Sequence, residues 1–239
     1  ISGYLITTII INELSEGTFS LLNFYERRAR RILPALFFVT LIWIPFAWVL
    51  FTPSDLKDFG QSLLAVATFS SNILFWHETS YFGTDSEIKP LLHTWSLAVE
   101  EQYYILFPLF LLFFWRFGKK SILIFLGLIF TIRIGVAHWG AYNNPTPTFY
   151  LLPTRGWELI LGVFTAFYLQ KNGFLESKLL NQSGSLLGFA LIVFSIIAFD
   201  DKTPFPSFYA LIPTLGTALL IITAVKSTWI QKLDRKSVV

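Results

Sequence analysis

A histidine, a serine, a carboxylate and a phenol recur at helical spacing near the middle of the chain. His93, Ser96, Glu100 and Tyr104 fall at i, i+3, i+7 and i+11, so on a helix they share one face. Apolar residues continue to position 115, which makes the segment long enough to cross a bilayer. A carboxylate near the middle of a membrane costs about 2.5–3.5 kcal/mol. Such a group faces a protein interior or a wet cavity, which makes His93 and Glu100 candidates for catalytic or orienting roles. The alternative is an interfacial helix start whose charges lie among lipid headgroups.

Ser96 and Glu101, the neighbours of His93 and Glu100, also carry groups that could take part in catalysis. Ser96 as a nucleophile would need a base, and His93 is within reach, but no Gly-x-Ser-x-Gly elbow surrounds Ser96. Glu100 and Glu101 cannot both face one groove, because neighbours on a helix point about 100° apart. We select Glu100, which shares the face of His93, and expect Glu101 to meet the loop at residues 77–90 or a neighbouring helix. No metal-binding spacing such as His-Glu-x-x-His occurs.

A second apolar segment, residues 149–169, also carries ionisable groups. It contains Arg155 and Glu158, one helical turn apart. An arginine that faces carboxylates is the expected way to keep both kinds of group charged where the dielectric is low. Arg155 and Glu158 are therefore candidate site residues, and a purely structural buried ion pair is the alternative.

The densest positive charge of the chain lies in residues 27–31. Arg27, Arg28, Arg30 and Arg31 present forked donors that suit phosphate groups. One interpretation is a cytoplasmic site for a phosphorylated donor molecule. Charge that sets the membrane topology, or contact with anionic lipid, fits the spacing equally well.

The composition indicates an integral membrane protein. Of the 239 residues 54% are hydrophobic and only 14% are charged, whereas soluble domains carry about 25% charged residues. The chain has no Cys, which excludes disulfides, thiolate nucleophiles and Cys-based metal sites. Its net charge of +3 is small, and nucleic acid is excluded as a partner on that ground. The chain contains no Met and opens inside an apolar run, so we expect an internal stretch that lacks the first and last helices.

Hydropathy predicts an all-α, polytopic transmembrane helix bundle, with residues 1–239 as one membrane domain that is incomplete at both ends. Residues 1–11 read as the tail of a membrane helix. Segments long and apolar enough to span are predicted at residues 32–51, 91–115, 121–139, 149–169, 184–199 and 207–225. Residues 61–76 are too short and too polar for a span, and residues 52–55 carry a helix-start signature.

The orientation follows from the charge of the loops. The cluster at residues 27–31 should be cytoplasmic by the positive-inside rule. Three later loops are also basic, at residues 116–120, 171–183 and 226–236. All three lie inside only if residues 61–76 enter the membrane and return on the outer side. We therefore predict one re-entrant segment, which is tolerated where protein or water surrounds it.

This orientation has a consequence for the candidate residues. His93, Glu100, Arg155 and Glu158 would all enter from the outer face of the membrane. Glu100 would lie roughly 12 Å and Arg155 roughly 9 Å along their helices, at 1.5 Å per residue. The two helices are thus predicted to bring ionisable groups to comparable depth.

Four stretches of sequence resemble the integral-membrane acyltransferase 3 family. They are ISGYLIT at residues 1–7, FYERRARRILPA at residues 24–35, KPLLHTWSLAVEEQYY at residues 89–104, and RGWE at residues 155–158 with Gly162. The blocks run in order from residue 1 to about residue 169, and the HTWSL block is specific. Residues 170–239 resemble the family in hydropathy alone.

The resemblance implies the activity of bacterial O-acetylases of lipopolysaccharide O-antigen, peptidoglycan and exopolysaccharide. It implies transfer of an acetyl group from cytoplasmic acetyl-CoA to a sugar hydroxyl outside the bacterial inner membrane. The four arginines would serve the donor, and His93, Glu100, Arg155 and Glu158 the outer half of the path. The family's catalytic His is expected upstream of Ile1, so this stretch alone lacks it. The KPLLH lead-in resembles members with a C-terminal SGNH hydrolase-like domain, which would lie beyond Val239.

Two other function classes fit the same residues. A polytopic transporter or flippase of glycans or lipids would also use buried charges and a re-entrant segment. A non-catalytic membrane anchor for a fused domain is the third interpretation.

Overall fold

The computed structural model describes residues 1–78, 89–200, 202–224 and 228. Within these residues the chain consists of helices and turns without a strand, which confirms the predicted all-α class. The helices are α1 (Ser2–Ser15), α2 (Leu21–Leu50), α3 (Pro53–Ala67), α4 (Ser71–Glu78), α5 (Thr94–Trp115), α6 (Lys119–Asn143), α7 (Pro145–Tyr150), α8 (Leu152–Asn172), α9 (Lys178–Ala198) and α10 (Leu211–Thr223), with a 3₁₀ turn at Phe208–Ala210.

Four helices among the described residues are long and apolar enough to cross a membrane: α2, α5, α6 and α9. Large apolar side chains on α2 are exposed, with Phe38, Leu41 and Trp48 at 64–75%. A contiguous apolar surface of this kind needs a lipid or protein partner. The chain is therefore a multi-pass membrane protein.

The observed helix α2 differs from the predicted span at residues 32–51. It begins at Leu21, so the four arginines belong to the same helix as the apolar run that follows them. The physical reason is local: the Ser20 side chain accepts a hydrogen bond from the backbone N–H of Asn23, and arginine favours helices. The predicted span starts at residue 32 because the arginines lie before the apolar run.

Other boundaries shift for similar reasons. Residues 91–93 form a turn, and α5 begins at Thr94 instead of at residue 91. The predicted span at residues 149–169 is divided between α7 and α8, and α8 is not among the four helices that are long and apolar enough to cross a membrane. The loops predicted at residues 77–90 and 226–236 fall largely outside the described residues.

The chain divides into two compact units, and we describe each by itself. The α2–α5 unit comprises Glu13–Arg116 and Tyr150–Leu152. The α6–α10 unit comprises Ile1–Asn12, Phe117–Phe149 and Pro153–Val239. The single domain over residues 1–239 stays a prediction.

In the α2–α5 unit, the segment predicted to be re-entrant is a helix, a break and a second helix. Helix α3 starts at the predicted helix-start signature, where Thr52 and Asp55 form a capping box. The backbone breaks before α4 at Phe69, which has a positive φ of 52°. The Gln102 side chain of α5 donates to the Phe69 carbonyl at 2.9 Å and to Asn72 Oδ1 at 2.8 Å. A re-entrant segment requires that the polar backbone groups at such a break find hydrogen-bond partners within the protein. The path of this segment through the membrane stays a prediction.

In the α6–α10 unit, glycines allow close approach of helices. A Cβ on Gly188 of α9 would lie 2.7 Å from the carbonyl oxygen of Gly216 of α10, and the reverse holds at the same distance. A Cβ on Gly162 of α8 would lie 2.6 Å from the backbone nitrogen of Tyr4 of α1. Small residues at such crossings are typical of helices that pack within a membrane.

Candidate functional site

The polar face of α5 is built around Glu100 and Tyr104. The Tyr104 hydroxyl donates to Glu100 Oε2 at 2.8 Å, as their predicted spacing on one face requires. His93 is the exposed residue just before the helix, and within the described residues its ring makes no hydrogen bond. The Ser96 hydroxyl donates to the His93 backbone carbonyl at 3.1 Å, not to the His93 ring. The structure therefore joins Glu100 to Tyr104 and leaves His93 at the helix entrance.

Glu101 is the buried carboxylate of α5. It is only 7% exposed, and its Oε1 atom makes no hydrogen bond within the described residues. Arg28 of α2 is close enough to interact with it electrostatically. A neighbouring helix is thus one of the surroundings of Glu101, and most of the loop at residues 77–90, the other expected surrounding, lies outside the described residues.

The four arginines of α2 differ in their partners and exposure. Arg27 forms a 2.7 Å ion pair with Glu13, and Arg30 forms one of 2.7 Å with Glu26. Arg28 is half-buried, and its guanidinium carbon lies 6.0 Å from the ring centroids of Phe24 and Tyr104.

Arg31 differs from the other three. It is exposed and forms neither an ion pair nor a hydrogen bond within the described part of the chain. An exposed guanidinium without an acidic partner fits the phosphate groups of an anionic donor. Two of its neighbours are already neutralised by glutamates.

The arginine-bearing turns of α2 lie beside the middle of α5. The Tyr25 hydroxyl donates to the backbone carbonyl of Ile105 at 2.8 Å, and Ile105 is roughly 15 Å from the end of α5 at Trp115, at 1.5 Å per residue. Pro108 lies in the next turn of α5, where it has no N–H for the carbonyl of Tyr104. The predicted donor residues and the acidic turn of α5 therefore belong to one region of the α2–α5 unit.

In the α6–α10 unit, Arg155 and Glu158 form a mostly buried pair. Arg155 Nε lies 3.7 Å from Glu158 Oε1, and the two side chains are 16% and 21% exposed. The guanidinium carbon of Arg155 lies 5.3 Å from the ring centroid of Phe149 and 4.7 Å from that of Phe205. Two rings and a carboxylate hold the guanidinium plane in one orientation. Because Glu100 belongs to the other unit, its predicted meeting with Arg155 stays a prediction.

Sequence reasoning missed several residues of these sites. Gln102 and Asn72 are uncharged, and nothing in their spacing reveals that they close the break at Phe69. Phe149 and Phe205 carry no signal in a chain that is 18% aromatic. His138, to which the sequence assigns no role, stacks on Phe208 with ring centroids 4.2 Å apart.

The chain is similar to known proteins over most of its length. A family described as "Acyltransferase domain" matches residues 1–238. A protein of Haemophilus influenzae described as uncharacterized is 30% identical over 232 residues, which cover 93% of this chain and 95% of that protein. The peptidoglycan O-acetyltransferase OatA of Listeria monocytogenes is 32% identical over 216 residues, 87% of this chain. The O-acetyltransferase OatA of Staphylococcus aureus is 33% identical over 172 residues, 70% of this chain.

The two OatA proteins are much longer than this match. The chain covers 34% of the Listeria protein and 28% of the Staphylococcus protein. No solved structure gives a significant match. The family match extends through residues 170–238, where the sequence motifs gave only hydropathy. The chain therefore belongs to the acyltransferase 3 family of membrane proteins.

Proposed function

We propose that the protein transfers an acetyl group from cytoplasmic acetyl-CoA to a hydroxyl of a cell-surface polysaccharide or glycolipid. The observation that carries this proposal is the location of the arginine turns of α2 beside the acidic turn of α5. An exposed, uncompensated Arg31 supports binding of an anionic donor, and Glu100 with Tyr104 supplies a carboxylate and a phenol in the same unit. Both curated OatA relatives are named as O-acetyltransferases.

The reaction makes simple demands on these groups. The sugar hydroxyl oxygen attacks the thioester carbonyl carbon, the carbon–sulfur bond breaks, and CoA leaves as its thiol after it takes up the hydroxyl proton. A base must accept that proton, and donors must stabilise the oxyanion that forms on the carbonyl oxygen. The resemblance implies that this base is a histidine outside residues 1–239. Glu100, held by Tyr104, is suited to orient that histidine through its second nitrogen.

The other predicted residues have roles in this scheme. Arg31 binds donor phosphates, with Arg27 and Arg30 beside it and Arg28 directed at α5. Arg155 and Glu158 are suited to bind the acceptor sugar, since both offer hydrogen bonds from a fixed orientation. His93 lies at the entrance of α5, where an acceptor approaching from outside would meet it. The enzyme would reside in the bacterial inner membrane.

Labelled acetyl transfer tests the proposal. Bacterial membranes that contain the full-length protein are supplied with radiolabelled acetyl-CoA, and label in peptidoglycan and in lipopolysaccharide is counted separately. We expect label in one polysaccharide, and its loss in Glu100→Ala and Arg155→Ala variants that remain in the membrane. Glu176→Ala is the control, because Glu176 is exposed, and it should label normally. Unlabelled polysaccharide with the wild-type protein, or normal labelling in both variants, would refute the proposal.

A further inference from the structure

Two buried polar atoms between α2 and α5 lack hydrogen bonds within the described residues. They are Nε of Arg28, a donor, and Oε1 of Glu101, an acceptor. Leaving such atoms without a partner in a low-dielectric interior is costly, so buried polar groups normally find one. A bound group that accepts from Arg28 Nε and donates to Glu101 Oε1 would satisfy both atoms.

The surroundings of these atoms restrict what that group can be. The Arg28 guanidinium lies 6.0 Å from the rings of Phe24 and Tyr104, and Glu101 is 7% exposed. The Glu100 carboxylate is engaged by the Tyr104 hydroxyl at 2.8 Å. A site with one cation, one carboxylate beside it and aromatic walls disfavours a phosphate, because the carboxylate would repel it. A neutral amide fits, because its carbonyl accepts from the arginine and its N–H donates to the carboxylate.

We infer that Arg28 and Glu101 form a subsite for a secondary amide of the pantetheine arm of the acyl donor. This inference rests on the proposed function and divides the donor between two arginines. Arg31, one helical turn from Arg28, is exposed and suited to the phosphates, whereas Arg28 and Glu101 hold the uncharged arm. Glu101 is thereby a specificity residue for the arm that carries the thioester.

Binding of parts of the donor tests this subsite. The intact protein is purified in detergent, and affinities are measured for CoA, for acetyl-pantetheine, which lacks the nucleotide, and for adenosine bisphosphate, which lacks the arm. Glu101→Gln should weaken binding of CoA and acetyl-pantetheine roughly five- to tenfold, since a charge-assisted hydrogen bond is replaced by a neutral one. It should leave binding of adenosine bisphosphate unchanged.

Two further variants complete the design. Arg31→Gln should do the reverse, weakening adenosine bisphosphate and CoA but not acetyl-pantetheine. Glu176→Gln is the matched control, because Glu176 is an exposed acid outside the arginine turns of α2, and it should bind all three probes normally.

The outcomes separate the subsite from the proposed function. Wild-type protein that binds no CoA would refute acetyl-CoA as donor. Suppose that the wild-type protein binds CoA. If Glu101→Gln then leaves all affinities unchanged, or weakens acetyl-pantetheine and adenosine bisphosphate equally, only the amide subsite is refuted. If Glu101→Gln does not yield folded protein, Arg28→Lys decides, because the ammonium lacks the planar Nε donor. It should weaken acetyl-pantetheine and spare adenosine bisphosphate, and equal effects on the two would overturn the inference.

Discussion

The hydroxyl of Tyr104 donates to a carboxylate oxygen of Glu100 at 2.8 Å, one helical turn away on α5. This bond fixes the orientation of one carboxylate on the polar face of the helix. The neighbouring carboxylate, Glu101, is 7% exposed and interacts electrostatically with Glu100 and with Arg28 of α2. Two adjacent acids on one helix thus have different surroundings, which is the basis for giving them separate roles.

Tyr104→Phe tests the role of the oriented carboxylate. A hydrogen bond to a charged group contributes about 1.5–3 kcal/mol, and about 1.4 kcal/mol is a tenfold change in rate. We therefore expect acetyl transfer to fall at least about tenfold while the protein remains folded in the membrane. Transfer rates at saturating and limiting acetyl-CoA measure the effect.

The control for this change is Tyr142→Phe. Tyr142 is a tyrosine of α6 that is 57% exposed, so transfer by this variant should equal that of the wild type. A wild-type rate in Tyr104→Phe would show that the phenol does not orient a group used in the reaction.

Arg155→Lys tests the geometry of the pair in the α6–α10 unit. The guanidinium lies 4.7 Å from the Phe205 ring centroid and 5.3 Å from that of Phe149, whereas an ammonium cannot stack as a plane between rings. We expect Arg155→Lys to lose transfer almost as completely as Arg155→Ala, although the charge is kept.

Arg116→Lys is the matched control for Arg155→Lys. Arg116 is exposed and lies 4.6 Å from the Phe113 ring centroid, and its replacement should change transfer less than about twofold, as exposed contacts contribute little. Substantial transfer by Arg155→Lys would mean that Arg155 supplies charge alone.

Gln102→Ala tests the bridge that closes the break between α3 and α4. The substitution leaves the Phe69 carbonyl and the Asn72 side chain without their partner on α5, at a cost of about 1–3 kcal/mol for a buried group. The melting temperature of the purified protein in detergent should fall by several degrees.

Gln170→Ala is the control for the bridge. Gln170 accepts an exposed hydrogen bond from Lys119 at 3.0 Å, and its loss should change stability by less than about 0.5 kcal/mol. Equal melting temperatures for the two variants would show that the break needs no support from α5.

Gly188→Ala tests the contact between α9 and α10. The added Cβ would meet the Gly216 carbonyl oxygen at 2.7 Å, so the helices must separate, and overpacking of this kind costs about 1–3 kcal/mol. Thermal unfolding in detergent measures the loss. Gly135→Ala on α6 is the control, since nothing lies within 4 Å of its Cβ position. Alanine there should be neutral or stabilise by up to about 1 kcal/mol, and a stable Gly188→Ala would disprove the close approach.

Much of the fold could be predicted because long apolar runs form membrane helices. The α5 span, the Thr52 capping box and the shared face of Glu100 and Tyr104 all depend on local spacing. Helix α2 starts earlier than the predicted span because the four arginines lie before the apolar run without ending the helix. Hydropathy measures lipid contact, whereas helix boundaries depend on caps and backbone propensity.

The candidate site was less predictable because its partners are distant in sequence. His93 was grouped with Glu100 by helical spacing, but the helix begins after His93. The same reasoning gave Glu101 no role in the site, yet Glu101 is the more buried of the two adjacent carboxylates of α5. Phe205 meets Arg155 from 50 positions along the chain, and one aromatic among many gives no signal before the chain is folded.

Transfer in sealed membrane vesicles of known orientation tests the central claim most directly. Acetyl-CoA does not cross membranes, so radiolabelled donor added outside reaches the cytoplasmic face only in inside-out vesicles. We predict that inside-out vesicles with the full-length protein place label on polysaccharide in their lumen, and that right-side-out vesicles stay unlabelled until they are opened. Label on right-side-out vesicles alone, or none in either orientation, would contradict the account.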